Sequence, residues 1–199
     1  MSDYTIMQLR GKCKGMMQMK TKKLHMMVHT ALMAALVCGA TAVIRIPSPT
    51  GGYVNAGDGM VLLYAWLLGP WYGGAAAGIG SFLTDLLMGS PLYAPGSLVI
   101  KGLDALAAGL LFRMLGQSRK AQLLSGLAGE LIMTAGYFGY TALLLQKGLG
   151  AALSIPGNLV QGCVGLVIGM VLLHALEKAA ISDNHFDRKE VLHHGRYHS

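Results

Sequence analysis

Apolar residues run along the chain in six stretches, separated by short polar or glycine- and proline-marked breaks. The first stretch covers residues 24–44. A shorter one, 59–68, is cut by "GPW", and a third follows over 72–88. The segment "GSPLYAPGS" reads as a loop from its Gly and Pro content. A fourth stretch spans 98–115, "GQSRK" interrupts it, and a fifth spans 121–145. The connection "QKGLGAALSIPGN" leads to a sixth over 159–176, with Pro156 and Gly157 marking its start. A membrane-crossing helix needs roughly 20 predominantly apolar residues. The pattern therefore predicts an all-α integral membrane protein, a bundle of six transmembrane helices. The second stretch is too short to cross alone unless Asp58 and its neighbours dip below the membrane surface.

Composition supports the same class. Of 199 residues, 53% are hydrophobic and 13% charged, with mean hydropathy +0.50, whereas soluble domains carry about 25% charge. The 28 glycines suit a membrane bundle, where small residues let helices approach closely. The expected organisation is a basic tail (1–23), one membrane domain (24–178) and a polar tail (179–199). No cleavable signal is expected, because the first apolar run follows a long basic segment and is too long for one.

The net charge of +7 is placed by topology. Six passes put both termini on one side with the "GQSRK" loop. That side holds thirteen basic residues, among them Arg10, Lys12, Arg113, Arg119 and Lys178, against Arg45, Lys101 and Lys147 opposite. The asymmetry predicts cytoplasmic N- and C-termini and sets "TGGYVNAGD" (50–58) on the outer face. It also accounts for the basic residues without nucleic acid. Cys13, Cys38 and Cys163 have no metal-ligand spacing and read as free thiols.

The chain carries no phosphate-binding loop, nucleophile elbow, H-E-x-x-H or paired CxxC. His25 and His29 share a helix face but read as interfacial, and the "HHGRYHS" terminus as a solvated tail; no metal site and no cofactor are expected. The informative residues are ionisable groups inside apolar runs, which are costly in lipid and usually face a cavity or a partner. They are Asp58, Asp85, Lys101, Asp104 and Glu130. Lys101 and Asp104 are three apart and can meet on one helix face, and Asp85 ends one span as Lys101 begins the next. An ion pair pinning helices and a ligand-binding role are both open for this group. Glu130, Thr134, Tyr137 and Tyr140 make one polar face that points to a cavity. Asn158 and Gln161 share a face near the outer loop; amides there can read a polar heterocycle, while Asn158 can equally cap its helix. Trp66, Trp71 and Tyr72 fit an inner interfacial belt. Tyr53 and Tyr93 sit in outer loops, where a ring can cover a flat ligand. Ala31, Ala35 and Gly39 recur every four residues as a smooth stripe, as do Gly165 and Gly169; such stripes usually pack helices together.

Five blocks carry a wider resemblance: "RIPSPTGGYVNAGD", "LLGPWYGGAAAGIGSFLTDLL", "PLYAPGSLVIKGLDALAAGLLFR", "GELIMTAGYFGYTALL" and "SIPGNLVQGCVGLVIG". In this order and spacing the chain resembles the S component, the substrate-binding membrane subunit, of energy-coupling factor (ECF) vitamin importers of the riboflavin-type group. The resemblance implies six helices and a pocket open to the outside, lidded by the first outer loop. It implies a separate transmembrane coupling protein and two ATPase subunits as partners, in the plasma membrane of a prokaryote, and no enzymatic activity of the chain's own. It also implies that the stripe at Ala31, Ala35 and Gly39 faces that partner. Tyr53, Asn55, Asp58, Lys101, Glu130, Tyr137, Tyr140, Asn158 and Gln161 are the expected substrate contacts. The ligand class is riboflavin or a pyridoxine- or pyrimidine-like vitamin precursor. The alternative from another class is a stand-alone proton-coupled transporter, motivated by Asp85, Asp104 and Glu130. An intramembrane enzyme has no nucleophile or metal set to support it.

Overall fold

The computed structural model describes residues 3–43, 45–47 and 53–194, with side chains described at 19–21, 23–43 and 55–179. The described residues are mainly helical, with six α-helices among them: α1 (Asp3–Val43), α2 (Asp58–Leu68), α3 (Pro70–Leu87), α4 (Ala94–Met114), α5 (Arg119–Gly139) and α6 (Ile155–His194). Two three-residue strands, β1 (Arg45–Pro47) and β2 (Tyr53–Asn55), pair antiparallel between α1 and α2, Arg45 opposite Asn55.

Among the described residues, three helical segments are long and apolar enough to cross a membrane by length and composition: Met19–Val43, Ala94–Met114 and Gly148–Ala179. The short helix α2 is only about 16 Å long at the usual rise. It solves its length by position. Asp58, Gly59 and every residue from Val61 to Trp66 are buried, so its polar first turn meets protein rather than lipid. α2 packs against α6, α3 and α4, while α3 bridges α1 and α4, and α5 closes the ring between α4 and α6. Outward faces remain apolar, as with Val160, Val164, Val167 and Val171 along α6. That is the face lipid accepts.

Glycine decides two approaches that position the site. Gly69 ends α2 at φ +80°, and Pro70 opens α3 in its first turn; only a residue without Cβ takes that backbone cheaply. Between α2 and α6, a Cβ on Gly165 would lie 2.5 Å from the Asp58 Cβ and 3.2 Å from the Gly59 nitrogen. A Cβ on Gly169 would lie 3.1 Å from the Gly59 carbonyl oxygen. The second small-residue stripe is thus an internal packing surface, as expected.

Several boundaries differ from the sequence reading. Helix α4 starts at Ala94 rather than near 98, because Pro95 sits in the first turn, where its missing N–H costs nothing. The connection before α6 contains a 3₁₀ turn (Gly148–Ser154). α6 begins at Ile155, so Asn158 lies inside the helix and does not cap it. Trp66 is not interfacial. It is buried, its indole Nε1 donates to Ser125 Oγ at 3.1 Å, and its ring lies 6.0 Å from that of Phe112. Trp71 is exposed, as a belt residue would be. The basic segment expected as a tail is continuous in backbone with α1, and the C-terminal polar segment with α6.

Candidate functional site

The polar groups that the apolar pattern interrupts converge at the start of α2. After β2, Asn55 folds its side chain back, and its Oδ1 accepts from the Gly57 N–H at 2.8 Å. This Asx-type turn delivers Asp58 as the first residue of α2, inside the bundle. The smooth α2–α6 contact at Gly165 then brings Gln161 alongside. Its amide is used at both ends: Oε1 accepts from the Asn55 N–H at 2.9 Å, and Nε2 donates to Asp58 Oδ2 at 2.8 Å. The other Asp58 oxygen accepts from the Lys101 ammonium, which reaches across from α4.

Lys101 is held from two further directions. Asp104, one turn along α4, places Oδ2 3.8 Å from Nζ, the i,i+3 pair the spacing suggested. The Tyr137 ring of α5 lies below it, 5.8 Å from Nζ to the centroid. That ring is fixed in turn by a 2.7 Å hydrogen bond between its hydroxyl and Ser97 Oγ on α4. Gly129 allows α5 to settle directly on Asp104, whose carboxyl would meet any Cβ there.

Glu130 completes the cluster from α5. A Cβ on Gly162 of α6 would lie 2.9 Å from Glu130 Oε2, so the glycine makes room for the carboxyl. Glu130 lies near Asp104 and Lys101 and has Asp58 as a side-chain hydrogen-bonding neighbour, yet among the described residues neither its oxygens, nor those of Asp104, nor Thr134 Oγ1 make a well-formed hydrogen bond. Asp58, Lys101, Asp104 and Glu130 are only 1%, 3%, 0% and 6% exposed. Three carboxyls therefore face one ammonium out of water. An uncompensated buried charge costs several kcal/mol. The arrangement can accept protons, cations or hydrogen-bond donors.

Of the residues singled out in the sequence, Asn55, Asp58, Lys101, Glu130, Tyr137 and Gln161 come together here. Tyr140 lies toward the α3–α4 loop. It donates to the Leu92 carbonyl at 2.7 Å, with its ring 6.4 Å from that of Tyr93. It opens a π-helical turn (Tyr140–Leu144) that ends α5. Asn158 is half-buried one turn before Gln161. The Tyr53 side chain lies outside the described residues, as do the side chains of Cys13 and the C-terminal histidines. Asp85 is buried on α3. Ala31, Ala35 and Gly39 are all exposed, and nothing lies within 4 Å of a Cβ placed on Gly39. Cys38 and Cys163 are free thiols. His25 and His29 are exposed, and no group of three metal-ligating side chains occurs among the described residues. Ser97 was missed by sequence reasoning; its spacing of four from Lys101 was the available signal.

The family model described as "ECF-type riboflavin transporter, S component" matches residues 20–178. An "Uncharacterized protein in gap 3'region" from Pyrococcus woesei is 37% identical over 140 residues, covering 69% of this chain and 92% of the relative. The "Thiamine precursor transporter HmpT" of Lactococcus lactis subsp. cremoris (strain MG1363) is 29% identical over 166 residues, 82% of this chain and 94% of that one. A solved structure described as "Structure and mechanism of the S component of a bacterial ECF transporter" superposes with a TM-score of 0.66 at 20% identity. It covers 79% of this chain and 98% of its own, and at that identity it speaks for the fold.

Proposed function

The chain belongs to the ECF-type riboflavin transporter S-component family, and from that premise we propose that it is the substrate-binding subunit of an ECF-type importer. It captures a small vitamin or vitamin precursor from outside a prokaryotic cell. It then delivers it through a membrane-embedded coupling protein powered by two ATPase subunits. The carrying observation is the buried polar cluster, in which the Glu130 carboxyl and Thr134 hydroxyl make no well-formed hydrogen bond among the described residues. A bundle with an apolar outer surface has no structural use for such groups, and a polar ligand supplies what they lack.

The cluster divides by role. Asn55, Gln161 and Asp58 satisfy one another and tie the β1–β2 hairpin to the bundle. Lys101 is shared between that tie and the ligand. Glu130, Thr134 and Tyr137 face the ligand, with Asn158 and Tyr140 nearer the loops and Tyr53 in the lid. The thirteen-to-three distribution of Lys and Arg supports cytoplasmic termini and six passes, with the hairpin outside. The absence of a phosphate-loop motif from the sequence agrees with an external energy source. The exposed stripe at Ala31, Ala35 and Gly39 suits a surface for the coupling protein.

The test is a thermal-shift screen of the purified chain against vitamins and their precursors, with riboflavin and thiamine precursors first. Ligand at 100 times its Kd adds about 2.7 kcal/mol. A folded protein stabilised by none of them refutes the reading. Excess buried carboxyls also favour one other reading, a proton-coupled transporter. Uptake into vesicles that runs on a pH gradient without partner subunits selects that alternative; dependence on ATP and co-expressed subunits excludes it.

A further inference from the structure

The positive charge at the start of α1 serves neither the ligand site nor the packing of the bundle. α1 runs unbroken from Asp3 to Val43, 41 residues or about 60 Å at the usual rise, whereas the hydrocarbon core is about 30 Å thick. Its membrane-compatible part begins at Met19. Residues 10–23 carry Arg10, Lys12, Lys14, Lys20, Lys22 and Lys23, and the sequence has no acidic residue between Asp3 and Asp58. The far end of α6, on the same side under the proposed topology, is balanced instead: Glu177, Asp183, Asp187 and Glu190 stand against Lys178, Arg188, Lys189 and Arg196. The family match begins at residue 20, so Arg10, Lys12 and Lys14 lie outside it.

The described side chains set this charge at a membrane surface. Lys20 and Lys23 are exposed, and among the described residues neither takes part in an ion pair. Directly after them, Leu24, Met27 and Val28 are exposed and apolar. Uncovered apolar side chains on a spanning helix mark where hydrocarbon begins. Lys20 is about 6 Å from Leu24 along the helix axis, within a Debye length of about 8 Å. The lysines therefore stand at headgroup level with no acidic side chain of the helix to neutralise them. Negative charge in the headgroup layer is their complement.

We propose that the basic start of α1 binds anionic lipid headgroups, with Lys20, Lys22 and Lys23 in the headgroup layer and Arg10, Lys12 and Lys14 adding attraction from further out. A cluster of about four to eight basic residues beside a spanning helix has this affinity. Such an anchor sets the depth and tilt of its helix, here the helix whose exposed Ala31 and Ala35 are proposed to meet the coupling protein. The inference rests on the proposed passage of α1 through the membrane, not on the identity of the ligand.

The full chain is placed in nanodiscs of phosphatidylcholine alone or with about one-third phosphatidylglycerol, an anionic content chosen to raise the surface potential. Amide exchange over residues 4–23 is read by mass spectrometry. At about 0.1 M salt, exchange is expected to be roughly tenfold slower in the anionic discs. The difference should vanish near about 1 M salt, where the Debye length falls to about 3 Å. Combining Arg10→Gln, Lys12→Gln, Lys14→Gln, Lys20→Gln, Lys22→Gln and Lys23→Gln should abolish it while the melting temperature in neutral discs stays at the wild-type value. Equal exchange of wild type in the two discs overturns the proposal without the variant. So does a difference that persists at high salt or survives the substitutions. Slowing that appears only when the ATPase subunits are added, whatever the lipid, assigns the charge to an acidic protein surface and also overturns it. Each of these outcomes leaves the vitamin-binding reading standing, because the thermal-shift screen decides that separately.

Discussion

Lys101 on α4 donates its ammonium to Asp58 at the first turn of α2, across 43 residues of sequence, with neither side chain more than 3% exposed. The pair joins the buried short helix to the helix that lies against it. Removing one partner strands the other charge away from water, which typically costs 3–5 kcal/mol, whereas removing both can be nearly neutral. Lys101→Met is therefore expected to destabilise the protein by about 3 kcal/mol. The double variant with Asp58→Asn should recover most of the loss. Thermal unfolding of the three proteins in one detergent checks this.

Gln161 is the second fastening of Asp58, and it reaches the strand as well. Gln161→Leu leaves the Asn55 N–H and Asp58 Oδ2 each short of a partner, a loss of about 1–3 kcal/mol. Gln161→Glu is expected to be worse, because it sets a fourth carboxyl beside Asp58. Hydrogen exchange at the Asn55 amide is the sensitive readout: both variants should exchange faster there while the middle of α4 keeps its protection.

Much of this architecture was readable from local signals. Apolar length and the Gly69–Pro70 break mark α2 and α3, and the spacing of Lys101 and Asp104 foretells their pair. The Lys101–Asp58 and Gln161–Asp58 contacts were not readable, because each joins helices far apart in sequence, and the second depends on how closely α2 docks on α6. That closeness is decided by the absence of side chains at Gly59 and Gly165, not by any feature of the polar residues themselves. Trp66 misled for a related reason. An indole near a helix end looks interfacial until a distant donor-acceptor partner, Ser125, makes burial affordable. Asn158 looked like a cap because Pro156 hid the true first turn of α6.

Glycine at the α2–α6 contact makes its own prediction. Gly165→Ala adds a methyl that must push the Asp58 turn of α2 away from α6. Overpacking of this kind costs about 1–3 kcal/mol. Here it also lengthens the Gln161–Asp58 bond, so ligand affinity should fall along with stability. Gly39→Ala places its methyl in open space and replaces a poor helix former. It should be neutral or stabilising by up to about 1 kcal/mol in the same unfolding measurement.

The first stripe gives the sharpest separation between folding and partnership. Ala31 and Ala35 are exposed on α1 while Ala34 and Val37 on its other face are buried in the bundle. Replacing Ala35 with Leu therefore adds surface that meets nothing inside the protein. Melting temperature and ligand affinity of the isolated chain should stay at their wild-type values. A helix that docks on this stripe, however, relies on close backbone approach, which a branched side chain prevents. Co-expression with the coupling protein and ATPases should then yield no complex for Ala35→Leu, and a weakened one for Ala31→Val. Intact complexes with both variants would move the partner surface elsewhere on the bundle, leaving the stripe as lipid-facing helix.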